Sequence, residues 1–513
     1  MGQSVGIRVD SRRKQPLHRQ IFDEVVARIE ARAFPPGYKL PPTRVLATEL
    51  AAHRNTVARA YADLEAAGFV SSRVGRGTFV ERLERPQREA KDAVASAAAP
   101  RRDMPWASLL SRAARSDAVQ RRESKPRIVQ KPGLINLARM QPSEELIPEA
   151  LLRRCISRAM AEHGSSALLY APPEGTPRLR EQIARDLVGR GVPVQTADVI
   201  VTSASQQGLD LVARALLNPG DTLLVEPATY TGAIELFGLA GARLLPVPMD
   251  AEGPDPDGLA RLSGPDVKGL YLMPNANNPT GRMLSTERRR QLLEWSQKSG
   301  IPIIEDDYAA GLVLSPQDPP PHLRALDGDV IHISTFSKRL APGLRVGYII
   351  APAPLRPALI ALKHIVDLGT SLLLQHGLAE FIERGYLRAH EQRMAREYRE
   401  RRDALDAALR KSLPAEFRWQ LPGHGLVLWL RLPPGITAEA FYEEALRRGV
   451  LVGPGTHFSV GAQAEAAVRL SFCAEPSARL AEGARRLGKA CKQLLNVRRA
   501  AKDAGGDSVL ELV

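Results

Sequence analysis

The sequence predicts a multi-domain α/β protein, with a winged helix-turn-helix followed by a doubly wound, mostly parallel sheet. Three observations carry this. The chain has 513 residues, more than one compact core organises. Its net charge of +14 is unevenly spread: residues 1–132 hold 26 Lys and Arg against 14 Asp and Glu, whereas residues 133–513 hold 45 against 43. Beyond Gly133, short apolar runs alternate with helical patterns, the rhythm of a sheet covered on both faces. A positive excess confined to one segment points to a polyanion, most simply nucleic acid.

Composition excludes other classes. No run of eighteen apolar residues occurs, and the nearest candidate, residues 358–382, is broken by Lys363, His364 and Asp367, so no membrane span is expected. The first residues are basic with no apolar stretch behind them, unlike a secretory signal. Cys155, Cys473 and Cys491 lie far apart and form no CxxC pair, which fits a reducing cytoplasm and no structural zinc.

The first domain is placed at 14–82. "PLHRQIFDEVVARIEARAF" sets Leu17, Ile21, Val25 and Ile29 at helical spacing and stops before Pro35-Pro36-Gly37. A second short helix is predicted in "TRVLATELAA", with Leu46 and Leu50 inward. A third, in "RNTVARAYADLEAAG", puts Val57, Tyr61 and Leu64 on one face and stops near Gly68. Two β-rich pieces, "FVSSRV" and "GTFVE", are joined through Gly75-Arg76-Gly77, giving a hairpin with a basic tip. Arg54, Asn55, Thr56 and Arg59 leave the third helix away from its apolar stripe, where a helix start can read base edges in a major groove. Arg44 and Arg76 flank it for phosphate or minor-groove contacts. Any one of these arginines alone is more simply a solvated surface group. The ordered set "LPPTR", "RNTV", "YADLEAAGFV" and "GRGTFV" carries the DNA reading.

Residues 16–82 resemble the winged helix of GntR-type bacterial regulators. The resemblance implies a double-stranded DNA operator as partner. Its contacts would be Arg44, Arg54, Asn55, Thr56, Arg59 and the wing residues Gly75, Arg76 and Gly77. The chain departs from the family at the turn, where Ala51-Ala52-His53 replaces the usual Gly-Val-Ser/Thr. The capping hydroxyl is missing, so a weaker helix start is expected, and His53 is assigned to a DNA phosphate instead.

Over residues 83–132 the periodicity dissolves into Ala-rich and basic, proline-broken stretches, interrupted by the short amphipathic "PWASLLSRAAR". A partly ordered basic linker is expected there. Residues 133–498 form the second domain and 499–513 a tail. Strands are predicted in "DVIVTS", "DTLLVEP", "ARLLPVPM", "VKGLYLMPN" and "IPIIEDDY", and at the two ends of "VIHISTFSKRLAPGLRVGYII". Ligands of such sheets gather beyond the C-terminal strand ends. Here those ends are residues 205–206, 226–230, 275–281, 305–308 and 334–338.

That set suits pyridoxal 5'-phosphate. Lys338 would form the Schiff base with its aldehyde. The helix start at Ser205 and Gln206, with Thr335, Ser337 and Arg345, would hold the phosphate dianion. Asp306 would keep the pyridine nitrogen protonated, Asn278 and Tyr308 would donate to the ring hydroxyl, and Tyr230 would stack on the ring. Singly, each residue has a plainer reading as a cap or a solvated side chain. "NNPTG", "EDDY" and "SKRLAPGLRVGY" in this order resemble fold-type I aminotransferases over residues 134–495. The resemblance implies a small C-terminal α+β subdomain and a homodimer. It makes Tyr170, in "LLYAPPEGTPRLR", a phosphate ligand reaching from the partner subunit. It also makes Arg469, opening a strand in "VRLSF", the grip on a substrate carboxylate.

The two halves together resemble MocR-type regulators. That implies a cytoplasmic bacterial protein, nucleoid-associated when bound to DNA, whose head-to-tail homodimer senses an amine, an amino acid or the cofactor through a Lys338 aldimine. Gamma-aminobutyrate, taurine, other amines and the vitamin itself stay open as effectors, and so does the sign of regulation. The alternative is an active aminotransferase of the 2-aminoadipate kind with an appended DNA-binding domain, for which the half-transamination residues are all present.

Overall fold

Apolar residues at helical spacing build the first three helices, α1 (Leu17–Glu30), α2 (Thr43–Glu49) and α3 (Arg54–Ala66). Ile21, Val25, Leu46, Val57 and Leu64 are fully buried between them. The hydroxyl of Tyr61 donates to the Pro41 carbonyl (2.9 Å), fastening α3 to the segment that leads into α2. Gly68, in the left-handed region at φ 75°, follows the end of α3. Strands β1 (Val70–Arg73) and β2 (Gly77–Val80) pair antiparallel, with Val70 opposite Val80. The computed structural model describes residues 7, 9–10, 15–73, 77–81, 104–124, 132–461 and 464–504. Gly75 and Arg76 at the wing tip lie outside them. The chain divides into two compact units, Met1–Pro105 and Trp106–Val513.

The turn before α3 corrects one expectation. His53 is the N-cap of α3, and its Nδ1 accepts from the Asn55 backbone N–H (3.2 Å). The imidazole supplies the acceptor that the missing hydroxyl would have given, so the helix start is capped. With Nδ1 used in this way, Nε2 is the nitrogen left to donate outward. Leu50, predicted inward, is half-buried just beyond α2.

In the second unit the chain runs through α4 (Trp106–Leu109), α5 (Asp117–Ser124), β3 (Ile135–Asn136), α6 (Glu149–His163), α7 (Pro177–Val188), β4 (Val199–Thr202) and α8 (Ala204–Leu216). It continues through β5 (Thr222–Val225), α9 (Thr231–Leu239), β6 (Arg243–Pro246), α10 (Pro256–Leu262), β7 (Val267–Leu272), α11 (Thr286–Ser299), β8 (Ile303–Asp307) and α12 (Leu323–Leu326). Then come β9 (Ile331–Thr335), β10 (Gly347–Ile350), α13 (Arg356–Asp367), α14 (Leu372–Glu383) and α15 (Tyr386–Ser412). It closes with β11 (Val427–Arg431), α16 (Ala438–Arg447), β12 (Val450–Leu451), β13 (Gly453–Pro454), β14 (Ala467–Ser471) and α17 (Ser477–Ala504).

Seven of these strands form one sheet in the order β4-β10-β9-β8-β7-β5-β6. All neighbours are parallel except β10, which runs antiparallel to both β4 and β9. Strands β4, β5, β8, β9 and β10 are buried along their whole length, as apolar runs between two helical layers require. A smaller antiparallel sheet, β11-β14-β13, sits with α16 and α17 over its own core, including Leu428, Phe441, Leu470 and Leu480.

Helices α4 and α5 fall inside residues 83–132, the stretch read as linker. The sequence gives α5 little signal, since Ala118 and Val119 are its only apolar residues. On α4 the apolar side chains Trp106 and Leu109 are exposed. Helix α17 runs past residue 498 to Ala504. Among the described residues no helix is long and apolar enough to cross a membrane.

Ala51 holds the turn between α2 and α3 at φ 48°, a left-handed conformation that costs a side-chain-bearing residue about 1–2 kcal/mol. Ala51→Gly is expected to stabilise the N-terminal unit by about 0.5–1 kcal/mol, read as a higher midpoint of its thermal transition. An unchanged or lowered midpoint would show that the turn is not strained.

Candidate functional site

The strand ends converge on a cavity of about 700 Å³. Strand alternation divides the "EDDY" segment between its two sides. Asp306 and Tyr308 line the cavity, whereas Glu305 and Asp307 serve the opposite side. Glu305 accepts from the Leu323 and Arg324 backbone N–H groups (3.0 and 3.1 Å) and from His332 Nδ1 (3.0 Å), and Asp307 accepts from Asn275 Nδ2 (3.0 Å). The carboxylates at 305–307 therefore split into one for the cavity and two for the frame.

Asp306 is buried. Its Oδ2 accepts from the Tyr271 hydroxyl (2.7 Å), and its Oδ1 has no partner. Burial pushes its pKa up to about 7. The Tyr308 hydroxyl is buried without a partner, and burial raises its pKa as well. Lys338 donates from Nζ to the Met140 carbonyl, and burial lowers its pKa. Burial brings the Arg469 guanidinium down to about 10. That side chain donates to Asn278 Oδ1 (2.7 Å) and the Ala138 carbonyl (2.8 Å), and it lies 4.5 Å over the Phe458 ring. Arg469 stands in the middle of β14, because the strand already starts at Ala467, and does not open a strand as expected. The bond from Arg469 orients the Asn278 amide, leaving its nitrogen as a donor.

The "NNPTG" loop explains its two asparagines. Asn277 builds the turn, its Oδ1 accepting from the Thr280 N–H (3.0 Å) and hydroxyl (2.8 Å), while Asn278 lines the cavity. Gly281 is required at φ 69°, where a Cβ would meet the Val427 carbonyl oxygen at 2.9 Å.

At the other end, α8 opens at Ala204 with φ 67°, and Ser205 and Gln206 follow in its first turn, where backbone N–H groups lack helical partners. Ser337 N–H donates to Thr335 Oγ1 (3.1 Å), whose hydroxyl donates to Ser337 Oγ (2.9 Å). Arg345, at φ 50°, reaches the Ser203 carbonyl (3.4 Å). The Tyr230 hydroxyl donates to Gln206 Oε1 (3.2 Å) at the cavity wall. Eleven sequence-predicted residues are thus brought together: Lys338, Ser205, Gln206, Tyr230, Asn278, Asp306, Tyr308, Thr335, Ser337, Arg345 and Arg469.

Tyr170 is not among them. It is 81% exposed, beside exposed Leu168 and Leu169, and does not line this cavity. Sequence reasoning missed Tyr271, whose only signal is a polar tip in an apolar strand. It also missed Ala138 and Met140, which act through carbonyls that side-chain identity does not reveal, and Arg122 on α5. In the N-terminal unit, Arg44, His53, Arg54, Asn55 and Arg59 are exposed and Thr56 is half-buried, with His53, Arg54 and Asn55 at the start of α3. Gly77 opens β2 at φ 111°, where a Cβ would meet Lys39 Cε at 2.7 Å.

The unpartnered atoms fit pyridoxal phosphate. Asp306 Oδ1 suits a pyridinium N–H, Tyr308 suits a ring oxygen, and Arg469 Nε suits a further acceptor, in one cavity with the half-buried amine of Lys338. Comparison with known proteins agrees. Residues 132–487 match the model of aminotransferase class I and II, and residues 17–80 match that of bacterial regulatory proteins of the gntR family. The chain is 32% identical to the probable rhizopine catabolism regulatory protein MocR of Rhizobium meliloti, covering 86% of each chain. It is 32% identical to the HTH-type transcriptional regulator TauR of Rhodobacter capsulatus, over 93% of this chain and 96% of that one.

The chain belongs to the MocR-type regulators.

Its larger unit is also 36% identical to the 2-aminoadipate transaminase of Thermus thermophilus, over 72% of this chain and 93% of that one. It superposes with a TM-score of 0.70 on Thermus thermophilus LysN, solved with N-(5'-phosphopyridoxyl)-L-leucine, at 34% identity over 77% of this chain and 100% of that one. Pyridoxal 5'-phosphate is the cofactor of this fold.

Glu226, like Asp306, is buried and pushed up to about 7 by that burial. In the cofactor-free protein each carboxyl keeps a proton that the unfolded chain releases near its ordinary value of about 4. The stability they contribute is fully present below about pH 4 and is lost as pH rises to about 7, by up to about 1.4 kcal/mol per pH unit for each group. Asp306→Asn is expected to remove part of that slope in denaturant titrations between pH 4 and 7. An unchanged slope would contradict the raised value.

Proposed function

We propose that this regulator uses the cavity as a sensor for a primary amine, most simply an amino acid, and transmits its occupancy to operator binding. The observation that carries the reading is a half-buried amine, Lys338, that lines one cavity with the unpartnered groups of Asp306, Tyr308 and Arg469, in one chain with a basic winged helix. When bound, pyridoxal phosphate supplies an aldehyde that takes amines reversibly and a ring that withdraws electrons. Lys338 is the amine that holds it. Where Lys338 is not engaged with the cofactor, its Nζ would donate to the Met140 carbonyl, as it does here. Asp306 holds a proton against Oδ1 while Tyr271 fixes Oδ2. Asn278 and Tyr308 would donate to the ring hydroxyl, Tyr230 would stack on the ring, and the start of α8 with Thr335, Ser337 and Arg345 would hold the phosphate. Arg469 takes an effector carboxylate. The freed ammonium and the filled site give the two states different contacts, which an effector-driven shift requires.

On the DNA side, Arg54, Asn55, Thr56 and Arg59 are assigned to base edges and phosphates, and Arg44, His53 and the wing residues Gly75, Arg76 and Gly77 to the flanks. Tyr170 is assigned to the phosphate of the partner subunit, which makes the protein a homodimer, with its two chains head-to-tail. Its exposure alongside Leu168 and Leu169 supports an interface at that place.

The cofactor-loaded protein is expected to shift both its absorbance and its operator affinity when the cognate amine is added, with steady transamination slow. Lys338→Ala is expected to abolish covalent attachment of the cofactor, read by borohydride reduction and mass. Rapid multiple turnover with no amine altering operator affinity would instead establish the aminotransferase reading, which the resemblance to 2-aminoadipate transaminase supports.

Arg54→Ala or Arg59→Ala is expected to weaken operator binding by about 1–3 kcal/mol in salt-controlled titrations. Equal affinity of the unaltered protein for operator and random DNA would remove specific recognition. Sedimentation is expected to give a dimer, and a monomer with full cofactor occupancy would overturn the assignment of Tyr170.

A further inference from the structure

One wall of the cavity is made by a part of the chain that neither the cofactor nor the carboxylate grip uses. Helix α5 lies on α9, the helix that begins directly after Tyr230. Ala118 and Val119 of α5 are half-buried, and a Cβ placed on Gly238 of α9 would meet Ala118 Cβ at 3.9 Å, so the helices touch where α9 has no side chain. This seating brings Arg122 to the cavity mouth, where it lines the space together with Tyr230, Gly232 and Glu235.

Among the described residues that line the cavity, the other lysine and arginine side chains are Lys338, Arg345 and Arg469. Gly232 offers no side chain, and any Cβ there would lie within 2.6 Å of the Tyr230 ring. Lys338 and Arg345 are assigned to the cofactor, and Arg469 to one carboxylate. Arg122 pairs with Glu235 at 4.0 Å, with side-chain exposures of 72% and 22%. A pair that long, with its arginine that exposed, holds weakly, whereas a carboxylate arriving in the plane of the guanidinium can take two hydrogen bonds. Arg122 and Arg469 also flank a common segment. Thr231 at the start of α9 donates to the His457 carbonyl (3.0 Å), and Arg469 lies over the neighbouring Phe458 ring. Both arginines line the same cavity of about 700 Å³.

We propose that Arg122 completes the effector site by taking a second acidic group, so that a dicarboxylic amino acid is preferred over its monocarboxylic analogue. The inference rests on the reading of this cavity as the effector site. Because α5 belongs to the stretch of chain that follows the DNA-binding unit, such an effector would also fix the position of that stretch directly.

The test uses the full-length, cofactor-loaded protein and reads half-saturation from the cofactor absorbance. L-glutamate and L-2-aminoadipate are compared with L-norvaline and L-norleucine, and L-ornithine is added as a diamino compound. The expected preference for the dicarboxylates is roughly tenfold, the scale of one hydrogen bond to a charged group. Within each variant the ratio is its own control. Arg122→Ala is expected to bring it near one and Arg122→Lys to restore part of it. Ala118→Glu, which unseats α5 from α9, is expected to lose it with Arg122 intact. Hydrogen exchange over residues 117–124 is expected to slow with L-2-aminoadipate and not with L-norleucine. A ratio near one in the unaltered protein, or an unchanged ratio in Arg122→Ala, sinks the inference. A preference for L-ornithine would give the mouth to Glu235 and sink it equally. The titrations read binding without DNA. A retained preference with no operator response would therefore count against the sensor reading alone, and an operator response without the preference against this inference alone.

Discussion

The close approach of β10 to β9 and to the start of α8 is the constraint on which the rest of the site depends. Gly347 permits it: a Cβ there would lie 2.6 Å from the Ser334 carbonyl oxygen and 2.8 Å from the Ala204 carbonyl carbon. Gly347 pairs with Thr335 on one side and Thr202 on the other, so the end of β9 and the approach to α8 are both set by one residue without a side chain. The chain between β9 and β10 then has to turn within that space, and Arg345 takes a left-handed conformation to do so. Lys338 lies in the same connection. A loosened contact here would move the amine, the hydroxyls and the guanidinium together.

Around that fixed point, burial does the electrostatic work. Asp306 and Arg469 are shifted in opposite directions by the same cause, since a buried site disfavours both charges until a ligand supplies partners. Burial lowers the Lys338 pKa for the same reason. The unpartnered atoms of such a site mark what is to bind there more sharply than its shape does.

The division of labour in "EDDY" shows how far residue identity goes. Three acidic residues in a row give no ranking by composition, and only the pleat of β8 sends Asp306 one way and its neighbours the other. Once the strand is granted, alternation makes that choice legible. The partners are not legible in the same way. Tyr271 comes from the adjacent strand β7, and its bond to Asp306 depends on the inter-strand register. The carbonyls of Ala138 and Met140 belong to a segment far from Arg469 and Lys338 in the chain, and any residue offers a carbonyl.

The sequence by itself determined the two-part organisation, the winged helix, the mostly parallel sheet and eleven of the cavity residues. These follow from charge distribution, hydrophobic period and turn residues at strand ends, all of which are local in the chain. Only the tertiary structure decided the rest. His53 caps α3 although its residue type did not announce it, because an acceptor nitrogen at the right place substitutes for a hydroxyl. Arg469 sits inside β14, where pairing with β11 and β13 fixes it. Helix α5, with two apolar residues, carries too weak a pattern to be read along the chain. It is held by a complementary surface on α9, and complementarity between segments more than a hundred residues apart is written in neither segment alone.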